Sequence, residues 1–147
     1  MKSELTRQLR GDEGVEKTAY QDHLGFWTIG VGRLIDKRKA GAGLRDFEID
    51  CLLKNDIDDR INELTRQLPW IANLDDARQG VLLNMSFQLG VEGLLGFKNT
   101  LGLVREGRYR EAAVAMLLSK WADQTPERAK RLAHQMDTGV WQYAEGA

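Results

Sequence analysis

The chain reads as an α+β protein, mainly α, with a small N-terminal β-hairpin lobe and a larger C-terminal helical lobe joined by a long helix. Three observations point there. Between residues 17 and 35 the pattern turns to period two, rich in β-branched and aromatic residues. From 46 to 68 apolar residues recur at helical spacing along one thin stripe. Beyond Pro69 the segments carry helical signal with short breaks. A single domain over 1–147 is expected. Its β-lobe spans about 12–45, its linking helix about 46–68, and its helical lobe about 69–147 together with 1–11, with a ligand cleft between the lobes.

Each element has a local reason. Ser3 can cap a first helix carrying Leu5 and Leu9 on one face, and Gly11 and Gly14 are stop signals. "KTAYQD", a turn at "HLG" and "FWTIGVGRLI" read as a β-hairpin. In its second strand, read as one run, Phe26, Thr28, Gly30, Gly32 and Leu34 share a face opposite Trp27, Ile29, Val31, Arg33 and Ile35. Ile49, Leu53, Ile57, Ile61, Leu64 and Leu68 then trace one stripe of a helix that Pro69 ends. Asp75 or Asp76 and Thr125 are candidate caps, and Pro126 fits a first helical position.

Composition excludes several classes. Hydrophobic residues make up 42% and charged residues 29%, an ordinary globular balance. A formal charge of -1 gives no electrostatic reason to expect nucleic acid. One cysteine, Cys51, excludes an internal disulfide; with two histidines and no metal-ligand spacing, neither a metal nor another cofactor is expected. Cys51 is expected to be a structural thiol, buried as a small hydrophobe rather than acting as a nucleophile. "MKSELTRQLRGDEG" has no apolar core of a signal peptide, and no window is apolar enough for a membrane span. The longest apolar patch, near Gly80 to Phe87, is interrupted by Asn84 and Ser86.

The chemistry lies in "DEGVEKTAYQDHLGFWTIGVGR". Glycoside hydrolysis needs a protonated carboxyl on the leaving oxygen and a second carboxylate across the sugar. Glu13 falls at the C-terminal end of the first helix, where the negative end of the macrodipole disfavours a charged carboxylate. Asp22, at a wetter turn, would stay ionised, giving two carboxylates in unlike environments. Thr28 shares its face with Gly30 and Gly32, so a sugar could approach the backbone while the hydroxyl orients a water. Taken alone, these residue types serve equally as solvated caps and strand formers.

The interval Glu13, Asp22, Thr28 followed by "TIGVG" resembles the signature of the phage lysozymes (endolysins) of the T-even type, glycoside hydrolase family 24. "LLNMSFQLGVEGLLGFKNTL", "REAAVAMLLSKWADQTPERAKR" and the final "TGVW" extend that resemblance over nearly the whole chain. It implies a lysozyme-like fold and hydrolysis of the β-1,4 bond between N-acetylmuramic acid and N-acetylglucosamine in peptidoglycan, with inversion. Glu13 is then the general acid, Asp22 assists the water or stabilises positive charge, and Thr28 holds the water. Arg128 matches the arginine that reaches towards the catalytic Glu. Leu34, Phe87 and Thr100 match cleft positions that meet substrate, and Gln88 is expected to face the cleft beside Phe87. Trp121 is expected to pack in the helical lobe, against Gln88. Arg33 replaces a histidine of the T-even type and Asp56 matches its aspartate, so a structural Arg33–Asp56 ion pair is expected.

Three departures from the family pattern stand out. The segment between hairpin and long helix is shorter, Ala115 replaces a cleft-facing polar residue, and the net charge is near zero rather than basic. The resemblance also implies a monomer made in a bacterial cytoplasm without stable membrane association, reaching the wall of the periplasm through a membrane-perforating holin. A lytic transglycosylase on the same bond and a non-catalytic peptidoglycan-binding module are the competing readings. Retention of Glu13 argues against the second, and retention of Asp22 and Thr28 argues for water as the nucleophile.

Overall fold

Seven helices and three strands follow one another in a computed structural model that describes residues 1–14, 16–21, 27–30, 33–36 and 44–145, the strands by backbone alone. The helices are α1 (Lys2–Glu13), α2 (Asp46–Gln67), α3 (Asp76–Leu95), α4 (Lys98–Arg105), α5 (Tyr109–Leu117), α6 (Lys120–Gln124) and α7 (Pro126–Thr138), with a 3-10 turn at Pro69–Asn73. The strands are β1 (Glu16–Gln21), β2 (Trp27–Gly30) and β3 (Arg33–Asp36).

Helix α1 buries Leu5 and Leu9, and beside them Thr6 and Gln8. Ser3 does not cap it: the start is Met1, whose ammonium sits 2.8 Å from Glu4, while the Ser3 hydroxyl bonds the Glu4 carboxylate inside the first turn. Hydrogen bonding from that ammonium holds the Glu4 carboxyl below its ordinary range. Gly11 does not stop the helix either. It runs on to Glu13, and Gly14, at φ 74°, takes the backbone out in a conformation other residues reach at a cost.

Strands β1, β2 and β3 pair antiparallel in sequence order. Tyr20 lies opposite Thr28, Thr28 opposite Leu34, and Ile29 opposite Arg33. The run expected as one strand over 26–35 is therefore two strands. Thr28 and Leu34 pair an even number of residues apart, so period-two alternation passes through the reversal unchanged and cannot reveal it.

In α2 the buried positions are Ile49, Leu53, Ile57 and Leu64, four of the six in the stripe that the spacing predicts; Ile61 and Leu68 are partly buried. Cys51 falls outside that stripe and is exposed, so it is not the buried thiol expected. Helix α3 is the centre of the core: Ala77 and every residue from Gly80 to Ser86 are buried. Asp75 caps it, accepting from the Arg78 N–H at 3.3 Å. The helix breaks at Gly90, whose φ of 77° and ψ of 164° are not helical. Leu82, Met85, Leu101, Met116, Leu132 and Met136 meet around it in one cluster with Leu5 and Leu9. No single helix among the described residues is long and apolar enough to cross a membrane.

Two polar devices hold α7 in place. Pro126 occupies its first turn as expected, but Thr125 is no side-chain cap; its hydroxyl donates back to the Trp121 carbonyl at 3.1 Å. At the other end Gly139 adopts the left-handed conformation, φ 71°. Arg78 reaches over from α3 and donates to the carbonyls of Met136 (2.7 Å) and Asp137 (2.8 Å). A cation there also suits the negative end of the macrodipole.

The C-terminal segment closes the lobe through Trp141, which fills the space above Gly80. A Cβ at position 80 would lie 2.2 Å from the indole. Gly80→Ala is therefore expected to lower stability: displacing the ring costs about 1–3 kcal/mol, against about 1 kcal/mol gained in helix propensity. Urea unfolding checks it, and a variant as stable as wild type contradicts the packing.

Candidate active site

Glu13 ends α1, and its side chain is 28% exposed. Arg128, in the first turn of α7, donates from Nη2 to Glu13 Oε1 at 3.0 Å, as the resemblance implies. The arginine is itself only 10% exposed and is fixed from behind. Its Nε and Nη2 donate to Asn84 Oδ1 at 3.0 and 2.7 Å. The Asn84 amide nitrogen in turn donates to Asp12 Oδ2 at 3.0 Å and to Gln8 Oε1 at 2.9 Å. Glu13 is thus held by a side chain with little freedom of its own.

Behind this contact lies a carboxylate fully removed from solvent. The Asp12 side chain is 0% exposed, with Arg131 Nη2 2.7 Å from Oδ1 and Arg128 Nε 3.6 Å from Oδ2. The Arg131 approach is short but off hydrogen-bond alignment, so it acts as a charge contact. Arg128 and Arg131 stand three apart on α7 and so share a face. Burying a lone carboxylate would be prohibitive; two guanidinium groups and an amide make it tolerable. Gln8 carries the network further, donating to Gln135 Oε1 and to the Gln142 carbonyl, both at 2.7 Å.

Arg128, Glu13 and Asn84 therefore come together as a unit joining α1, α3 and α7. Asp12, Asn84, Gln8, Gln135 and Arg131 were not among the site residues expected from sequence. Their one signal was the polar interruption of the apolar patch by Asn84 and Ser86, both 0% exposed. A polar residue within an apolar helix segment usually means a buried partner.

The other expected residues fall elsewhere or outside what is described. Asp22 lies outside the described residues. Thr28, Leu34 and Arg33 are placed by backbone only, on the paired strands β2 and β3. Asp56 is partly buried on α2, and its expected pairing with Arg33 lies outside the described side chains. Phe87 is partly buried against the core. Gln88 accepts from Trp121 Nε1 at 2.8 Å, which places Trp121 in the helical lobe against Gln88 as expected, and donates to Thr125 Oγ1 at 3.4 Å. Thr100 is 4% exposed. It lines a groove of about 1130 Å³ whose walls include Phe97, Ala115 and Trp121 but not Glu13. No cluster of metal-ligating side chains occurs among the described residues.

The helical framework and the acid clamped at its edge define a class, and sequence comparison identifies it. The family model for phage lysozyme matches residues 10–137, and the chain belongs to that family. A "Probable T4-type lysozyme 1" of Dictyostelium discoideum is 30% identical, the match covering 95% of this chain and 97% of that one. The "Pre-baseplate central spike protein Gp5" of Enterobacteria phage T4 is 28% identical over 92% of this chain, which corresponds to 28% of the spike protein. The "Peptidoglycan hydrolase gp36" of Pseudomonas phage phiKMV is 27% identical over 90% of this chain and 15% of its own length.

Removing the anchor tests the clamp. Asn84→Ala deprives Arg128, Asp12 and Gln8 of a shared partner in a buried setting, at an expected cost of about 1–3 kcal/mol. If Arg128 is held through Asn84, hydrolytic activity falls along with stability. Unchanged unfolding midpoints in urea contradict the network.

Proposed function

We propose that this protein is a muramidase that hydrolyses the β-1,4 bond between N-acetylmuramic acid and N-acetylglucosamine of bacterial peptidoglycan. The observation that carries the reading is Glu13, partly exposed at the end of α1 and held through one oxygen by Arg128. Membership in the phage lysozyme family supports it. In this mechanism Glu13 protonates the glycosidic oxygen as the bond to the sugar's anomeric carbon breaks. Asp22 and Thr28 act on the opposite side of that sugar. Thr28 positions a water, which attacks the anomeric carbon, and Asp22 assists by accepting its proton or by stabilising the oxocarbenium-like charge. Attack opposite the leaving group gives inversion. Arg128 fixes the Glu13 carboxyl in place, which matters because misplacement of a catalytic group by an ångström is costly.

The β-lobe of residues 12–45, the cleft beside it and sugar contacts from Leu34, Phe87, Gln88 and Thr100 complete the proposal. It needs no cofactor. Its setting is the bacterial wall, reached from the cytoplasm through a holin-type pore, with the protein acting as a monomer in cell lysis or wall penetration.

Glu13→Gln is expected to fold normally and to lower release of reducing ends from purified peptidoglycan by at least about 10²–10⁴-fold. Near wild-type clearing by that variant overturns the assignment. Asp22→Cys should retain more activity than Asp22→Ala, because a thiolate can carry the negative charge; an Ala variant equal to wild type removes Asp22 from the mechanism. Products ending in 1,6-anhydro sugars instead of reducing ends would show a transglycosylase.

A further inference from the structure

Arg60 stands apart from its surroundings. Helix α2 carries seven carboxylates, Asp46, Glu48, Asp50, Asp56, Asp58, Asp59 and Glu63. Three of them are paired across to α1, Asp46 and Asp50 with Arg10 at 3.7 and 2.7 Å and Asp58 with Lys2 at 2.5 Å. Arg60 takes none: among the described residues no carboxylate lies within 4.0 Å of its guanidinium. It crosses instead to α3, where it donates from Nη1 to the Ser86 carbonyl and lies over the Phe87 ring, 4.7 Å from the centroid.

Both contacts have a physical reason. Ser86 is four residues before the break at Gly90, in a last helical turn, where carbonyls favour a cation. The ring face of Phe87 carries negative quadrupole charge and attracts the guanidinium. A planar fork of five donors is thereby fixed with one donor engaged by the described residues. Its charge is uncompensated by any acid there, and it covers the aromatic residue assigned above to substrate. A cation whose rotamer is already held loses little freedom when an anion docks.

We propose that Arg60 is a substrate-contacting residue that receives a carboxylate of the peptide branches of the wall polymer, with Phe87 and the Ser86 carbonyl as its mount. This rests on the muramidase reading for the identity of the polymer. The site distinguishes a peptide-bearing glycan from a bare or amidated one, and contributes to binding rather than to bond cleavage.

The test measures binding to the Glu13→Gln protein by calorimetry at low salt. The probes are uncross-linked disaccharide-peptide oligomers from peptidoglycan, unmodified or with their carboxyls amidated. Adding Arg60→Gln is expected to weaken binding of the unmodified oligomers by about 3- to 10-fold and to leave the amidated ones unaffected. Arg60→Lys, which keeps the charge, should retain most of the affinity. In the otherwise wild-type enzyme Arg60→Gln should raise KM by the same factor with kcat within about twofold. Equal loss for both probes would reduce Arg60 to a prop for α3, and no loss for either would remove it from the substrate; each overturns the proposal. Reducing-end release by the wild type is read separately, so failure of the muramidase reading appears there while the binding comparison still decides Arg60.

Discussion

The buried carboxylate of Asp12 is the constraint on which the site depends. A charge with 0% exposure must be met by opposite charge and donors, or the helix that carries it could not pack. Meeting it fixes three helices at once. Arg128 and Arg131 set the rotation of α7, Asn84 sets the rotation of α3, and Asp12 itself sets that of α1. Glu13 is the next residue in the chain. Its place at the edge of the helical lobe follows from satisfying its neighbour, so the acid inherits its geometry from a structural demand.

Arginine serves this purpose repeatedly because its planar fork can answer several acceptors together. Arg128 spans Asn84 and Glu13. Arg78 takes two carbonyls at the end of α7 and lies 3.8 Å from the centre of the Tyr109 ring. Arg60 repeats the pattern on a smaller scale, one carbonyl and one ring, where α3 breaks. In the first two cases the guanidinium is enclosed by acceptors and rings of the protein. Arg60 differs in that no acid among the described residues compensates its charge.

Gly80 and Gly90 show how the same residue type serves two purposes in one helix. At 80 the missing side chain leaves room for Trp141, so the C-terminal segment can lie across α3. At 90 the need is a positive φ, and a Cβ there would meet nothing within 4 Å. The first is a packing requirement and the second a backbone one. Only the surroundings tell them apart.

By itself the sequence determined the elements whose signal is local. The stripe of α2, an aspartate cap at 75 or 76, the Pro126 start and the helical character beyond Pro69 all follow from spacing and backbone chemistry. The Glu13–Arg128 contact and the family were also legible, through a motif whose residues lie at fixed intervals. Tertiary structure decided what spacing cannot carry. The reversal between β2 and β3 preserves alternation, so it was invisible. Ser3 and Thr125 had the right chemistry for caps, but Glu4 and the Trp121 carbonyl claimed their hydroxyls. Cys51 has a small apolar side chain, yet the angle of its position on α2 leaves it in solvent. Asp12 gave no signal of its burial, because the residues that compensate it lie 72 to 119 positions away along the chain. A charge's environment is set by what the fold brings near it, and no local window contains that information.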